Sequence, residues 1–505
     1  MGHRAGTADF DLAIIGGGIN GTGIARDAAG RGLRVLLAEQ DDLASGTSSA
    51  STKLIHGGLR YLEQGALRLV REALAEREVL LRMAPHLIRP MRFVLPVEPG
   101  LRPAWMLRLG LFLYDHLGGR RSLPPTRRID LSTDALGAPL QPRYRTGFEY
   151  SDCQVDDARL VVLNAVDAAE RGAAIRTRTR CLRAERATIW RLVLDARGHR
   201  ETATARVLVN ATGPWLGQFA AMALERPSPA HLRLDKGSHI VVRRLFAHEH
   251  GYIFQAADRR VVFALPFAGD FTLVGTTDQS FSGDLSSVEP SAEEIDYLCA
   301  VVNEHFRAAI SPADVIWSFA GVRSLYDDGS SKAQDTTRDY VLSLDDSAGA
   351  APLLTVYGGK ITTYRKLAEA ALQRLGPVLG VGAAWTAASH LPGGDVAPDG
   401  VDQLLAQTRR AWPFLAESHA RRLVAAYGTQ AGRVLGTARN LDDLGPRFGA
   451  DLTGAEVRYL MGHEWAETAD DVIWRRSKLG LRLPHSERER LARFMTETVG
   501  GQAPG

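Results

Sequence analysis

The segment that most restricts how this chain folds lies at its start. Leu12-Ala-Ile-Ile15 is a short apolar run, Gly16-Gly-Gly-Ile-Asn-Gly21 follows it, and a helical stretch continues to about Arg31. Arg34-Val-Leu-Leu-Ala-Glu39 then reads as a second strand. A Gly16-x-Gly18-x-x-Gly21 turn that leaves a strand and opens a helix points to a dinucleotide. Its glycines allow a tight turn and a close backbone approach to a pyrophosphate, whose charge meets the helix N-terminus. Glu39 stands where it would accept hydrogen bonds from adenosine ribose hydroxyls, and an acid there disfavours a 2′-phosphate. NADP is therefore disfavoured, while FAD and NAD both stay open.

A second turn bears on that choice. Arg206 to Ala211 reads as a buried-type strand ending in Thr212-Gly213-Pro214-Trp215. A second close backbone approach of this kind, at Gly213 and Trp215, is expected where FAD lies extended across a sheet. Between about 231 and 285 the pattern changes to short strands and glycine turns. Ser238–Val242, Arg260–Leu265 and Phe271–Thr276 read as an antiparallel sheet. Leu353-Leu-Thr-Val-Tyr357 runs into Gly358-Gly359 and a helix over roughly 363–375. After Leu391-Pro-Gly-Gly394 the composition turns helical, with Trp412, Trp465 and Trp474 as packing anchors.

The expected class is α/β, with a Rossmann-like FAD-binding domain, an antiparallel-sheet substrate domain and a helical C-terminal domain. The 505 residues suit two to three domains. The FAD-binding domain is expected from about 8–85, 145–230 and 318–387, interleaved with a substrate domain from about 86–144 and 231–317. A helical cap would fill 388–505.

A formal net charge of +3 gives no case for nucleic acid. Cys153, Cys181 and Cys299 are scattered, with no C-x-x-C pair, so neither a metal site nor a disulfide framework is expected. A reduced, cytoplasmic setting fits. Met1 to Phe10 lacks the apolar core of a signal peptide. No run of about 18 apolar residues occurs, so no bilayer-spanning segment is expected.

Five separated segments carry a family resemblance. They are Gly46-Thr-Ser-Ser-Ala-Ser-Thr-Lys-Leu-Ile-His-Gly-Gly-Leu-Arg-Tyr-Leu62, Gly147-Phe-Glu-Tyr-Ser-Asp-Cys153, Gly321-Val-Arg323, Thr337-Arg-Asp-Tyr340 and Gly358-Gly-Lys-Ile-Thr-Thr-Tyr364. In this order they make the chain resemble the FAD-dependent glycerol-3-phosphate dehydrogenases, from Asp11 to near Leu479. The resemblance implies the D-amino-acid-oxidase-like flavoprotein fold of the glutathione-reductase type, non-covalent FAD, and oxidation of sn-glycerol 3-phosphate by hydride transfer from C2 to flavin N5. Electrons would pass to a membrane quinone. Ser324 stands where the family commonly has Pro. With no EF-hand pattern near the C-terminus, the chain looks like the bacterial form rather than the calcium-regulated one.

A phosphate dianion on a three-carbon alcohol needs fixed cations, and the motifs offer Arg60, Arg323, Arg338 and Lys360. Arginine's planar fork suits bidentate phosphate contacts. Tyr61 belongs to the same implied substrate set. His56 is suited to act as general base by its intrinsic pKa; packing beside the flavin is the other role open to it. Arg323 cannot easily give up a proton, so stabilising the developing alkoxide fits it better. Lys360 could serve either way. Asn20, Thr47, Ser48 and Ser49 are implied FAD contacts. Gly359 and Thr362, the latter a helix N-cap candidate, would aim a helix N-terminus at the charge that develops near flavin N1.

Trp105-Met-Leu-Arg-Leu-Gly-Leu-Phe-Leu-Tyr114, flanked by Arg102, Arg120 and Arg121, suits an interfacial helix, although a buried core helix explains the same apolar residues and is the reading the sequence alone favours. Peripheral attachment to the inner face of the cytoplasmic membrane, and a homodimer, follow from the resemblance. Two alternatives stand beside it. One is a related flavin oxidase that acts on glycerol 3-phosphate or an amino acid and uses oxygen. The other is a flavin-binding regulator without turnover.

Overall fold

A computed structural model describes residues 8–62, 65–98, 103–119, 122–227, 232–256, 258, 260–327 and 339–500. Strand β1 (Phe10–Ile15), helix α1 (Ile19–Gly30) and strand β2 (Val35–Ala38) form the expected β-α-β unit. The strands are parallel, with Leu12 opposite Val35 and Ile15 opposite Ala38. Both are buried on their two faces, which is why they read as unbroken apolar runs rather than alternating ones.

On the other side of β1 lies the strand His199–Asn210, also parallel, followed by Leu353–Tyr357 and the antiparallel edge strand Val341–Asp345. Beyond β2 the sheet ends in Ala174–Arg176. The hairpin Thr179–Arg186 and Trp190–Ala196 pairs with the early half of the long strand at 199–210. Helix α1 packs between helix Asp157–Glu170 and helix Tyr364–Leu379.

The second sheet has ten strands and is antiparallel except where Gly251–Gln255 meets Ile88–Pro96. Its longest pairing joins Leu232–Arg243 to Val315–Tyr326, with Arg323 opposite Asp235. Helix Ala292–His305 covers one face. Helices α2 (Leu67–Met83) and α3 (Ala104–Leu117) lie on the other. Thr146–Val155 and Val315–Tyr326 both pair within this second sheet. Thr146–Val155 is buried on both faces, so no alternation marks which sheet it joins.

From Val401 onward, helices build a separate apolar core around Leu423, Val424, Leu460 and Ile473. Trp412 and Trp474 pack on it, whereas Trp465 packs against the core of the nucleotide sheet. Charged pairs join the two parts. Arg159 meets Glu464, both side chains being almost fully buried, and Arg178 meets Asp471 at 2.8 Å. Arg476 holds both oxygens of Asp42, at 2.7 and 2.8 Å.

Removing one partner of a buried pair strands the other charge away from water. Arg159→Ala should therefore destabilise the protein by about 3–5 kcal/mol. Urea denaturation should show this as a lower midpoint, and an unchanged midpoint would refute the role given to the pair.

Candidate active site

One cleft of about 460 Å³ runs from the Gly16 turn to the antiparallel sheet. At its nucleotide end Gly16 has φ +116°, and a Cβ there would lie 2.4 Å from the Ala211 carbonyl oxygen. Two chain segments thus approach as closely as backbone allows. Gly18 is the N-cap of α1, and Ser48 Oγ accepts from the Ile19 N–H at 3.0 Å. Glu39 accepts from the N–H of Gly17 at 2.6 Å and of Asp41 at 2.9 Å. Desolvation outweighs these bonds and pushes its pKa up to about 7.

Further along, the Asn20 amide donates to the Gly358 carbonyl at 3.0 Å, while its buried Oδ1 has no partner. Gly213, Trp215 and Gly359 line the same space. A glycine cradle, an acid at the end of β2 and an orphaned buried amide oxygen fit an extended dinucleotide.

The other end is charged. Arg60, Tyr61, Arg323, Lys360 and His56 all line the cleft. Lys360 Nζ stands 3.9 Å from the centre of the Tyr61 ring, within cation–π range. Arg323 Nη1 is 3.7 Å from Asp278 Oδ1. The Arg323 fork lies over Gly237, where a Cβ would come within 2.8 Å of Nη2. Burial lowers the His56 pKa; Lys360 and Arg77 push the same way and Asp152 opposes them. The imidazole is therefore neutral near pH 7 and free to accept a proton.

Several expected residues have other positions or partners. Gly21 and Ser49 stand outside the lining. Thr47 and Ser49 donate their hydroxyls to the carbonyls of Val322 and Gly46. Thr362 is not the N-cap, because helix Tyr364–Leu379 is capped at Thr363. The Thr362 hydroxyl instead accepts from the His56 N–H at 3.3 Å and donates to the His56 carbonyl at 3.4 Å. Arg338 lies outside the described residues, as do the helix-flanking Arg102, Arg120 and Arg121.

Sequence reading missed His239. It stacks on Phe319 with ring centres 4.9 Å apart, and its Nε2 meets Thr52 Oγ1 at 3.0 Å. Burial and the nearby Lys53 and Arg323 hold it neutral, with a pKa down to about 3. Gly237 and Asp278 were missed too, since neither belongs to a motif.

The model of the family described as FAD dependent oxidoreductase matches residues 11–365, and that of the C-terminal domain of alpha-glycerophosphate oxidase matches 384–500. The chain belongs to the FAD-dependent oxidoreductases that include the glycerol-3-phosphate dehydrogenases. It is 53% identical over 489 residues to a glycerol-3-phosphate dehydrogenase of Pseudomonas aeruginosa, covering 96% of this chain and 95% of that one. A D-erythritol 1-phosphate dehydrogenase of Brucella abortus is 50% identical over 484 residues, 95% of this chain and 96% of that one. The structure resembles that of a Bacillus halodurans glycerol-3-phosphate dehydrogenase complexed with FAD. The TM-score is 0.77 at 27% identity, over 97% of this chain and 91% of that one. FAD is the cofactor of this flavoprotein.

The raised pKa of Glu39 leads us to expect that FAD binding depends on pH. That shift stabilises the cofactor-free protein at low pH, and the contribution is lost as pH rises toward 7. Ribose hydroxyls would donate to the ionised carboxylate, in which case FAD affinity should rise about tenfold between pH 6 and 8. Glu39→Gln should bind FAD more weakly and flatten that dependence in a fluorescence titration. A slope that survives the substitution would assign it to another group.

Proposed function

We propose that this chain oxidises sn-glycerol 3-phosphate to dihydroxyacetone phosphate and delivers the electrons to a membrane quinone. Bound FAD supplies at N5 the acceptor for the hydride from C2. The observation that carries the reading is the convergence of Arg60, Arg323 and Lys360 with His56 on one cleft beside the dinucleotide cradle. Arg60 and Lys360 bind the phosphate dianion, and the Tyr61 ring fixes the Lys360 ammonium. His56 takes the C2 hydroxyl proton, as a neutral imidazole suits. Arg323 stays charged and steadies the developing alkoxide.

The decisive measurement is anaerobic bleaching of the flavin's visible absorption by sn-glycerol 3-phosphate. Glycerol, a D-amino acid and D-erythritol 1-phosphate serve as comparisons. Fast bleaching by sn-glycerol 3-phosphate alone is expected, slowed about a hundredfold in Arg323→Met. A preference for the four-carbon phosphate would reassign the substrate. Peroxide release without quinone would make the protein an oxidase, and a flavin that no compound bleaches would make it a non-catalytic binder.

A quinone acceptor puts the protein at the inner face of the cytoplasmic membrane. No helix among the described residues is long and apolar enough to cross a bilayer. Helix α3 supports peripheral docking, since Trp105, Leu109 and Phe112 are 66%, 52% and 56% exposed. A core helix would bury these side chains. Arginines flank them in sequence, and a bilayer with anionic lipid matches an apolar face with basic ends. The homodimer belongs to the same reading and rests on the family resemblance alone.

Replacing Trp105, Leu109 and Phe112 together by Ser should release the protein from anionic vesicles in a flotation assay while leaving anaerobic flavin reduction unchanged. Undiminished flotation would remove α3 from the membrane contact.

A further inference from the structure

Helix α3 has an inner side that the docking role leaves unexplained. Its two buried residues are Leu111 and Tyr114. The Tyr114 ring occupies the space beside Gly57, where a Cβ would lie 2.8 Å from its Cε2. Its hydroxyl accepts from the Gly57 N–H at 2.7 Å. The same hydroxyl lies 2.8 and 2.9 Å from the two Asp152 carboxylate oxygens and donates to that carboxylate. Asp152, on the strand Thr146–Val155, also accepts from Arg77 of α2 at 2.8 Å. Three elements therefore meet through buried polar groups directly under the peptide that follows His56. On the other side, the Thr362 hydroxyl brackets the His56 backbone.

We propose that Tyr114 is a positioning residue for the oxidation: its hydroxyl fixes the Gly57 peptide and the Asp152 carboxylate, and through them the His56 ring. This rests on reading His56 as the base. Phenylalanine would fill the same space, so packing alone gives the hydroxyl no task. What it adds is a link between an amide donor and a carboxylate that acts electrostatically on the imidazole. Burial holds the phenol protonated, so it stays a donor to Asp152.

The sign of the effect follows from the charges facing His56. Asp152 favours the imidazolium, while Lys360 and Arg77 disfavour it. The edge of Phe263, with ring centres 6.3 Å apart, adds no titratable group. Without the Tyr114 hydroxyl, Asp152 loses a donor and its charge acts more strongly on the imidazole. The His56 pKa then rises. Asp152→Asn removes that charge and should move it the opposite way.

The test is single-turnover flavin reduction by sn-glycerol 3-phosphate in the FAD-loaded protein, followed across pH. Tyr114→Phe should keep its FAD and its vesicle binding, slow reduction at saturating substrate by roughly tenfold, and move the acid-side break to higher pH. Asp152→Asn should move the break to lower pH. A purely structural role would lower thermal stability and leave both breaks where they are; that outcome overturns the proposal. His56→Asn separates the two ideas. If it abolishes the break while Tyr114→Phe leaves the break unmoved, the positioning role alone is lost. If the break survives His56→Asn, the base assignment is wrong.

Discussion

At Gly16 the backbone of β1 and the carbonyl of Ala211 come so close that no side chain fits between them. This contact depends on two parallel strands ending side by side, with Ile15 opposite Asn210. Because both chains turn away at the same level, a crevice opens at the carboxyl ends of the strands. An extended dinucleotide would fit there, with the N-terminus of α1 available to a pyrophosphate. The antiparallel sheet forms the opposite wall of the cleft.

The charged end of the cleft combines cations with groups that burial keeps neutral. Arg323 is held over a glycine and near a carboxylate, and Lys360 sits over a phenol ring. His56 and His239 lie close to these cations and in low dielectric, so both are held as neutral imidazoles rather than imidazolium ions. On the proposed reading, an anionic substrate meets positive charge next to an imidazole with capacity for one more proton. The two properties support each other, since every cation added to bind phosphate also lowers the basicity of the imidazole beside it.

Features fixed by local geometry were legible in the sequence. The β-α-β unit, the glycine turn and Glu39 follow from strand and helix periods and from a glycine spacing that short-range sterics impose. The nucleotide sheet and the helical C-terminal region were legible for the same reason. Gly237, Asp278 and His239 were not, because their roles arise from register between strands far apart in the chain. Thr362 was assigned to a helix cap by spacing, yet its hydroxyl went to His56, a partner 306 residues away. Helix α3 shows the limit most clearly. Its apolar residues suit an interior or a surface, and only the packing of α2 and Tyr114 decides which side turns inward.

The parts that complete the Gly16 turn come from widely separated stretches of chain. Ala211 is 195 residues beyond Gly16, and Gly358 meets Asn20 across 338 residues. At a synthesis rate of about 5–20 residues per second, the turn waits on the order of half a minute for its last support. During that interval β1 and β2 are apolar strands without their final neighbours. The lining of the cleft is complete only once the chain has reached Thr362, so a fragment that carries the glycine motif alone lacks most of the walls that a flavin would touch.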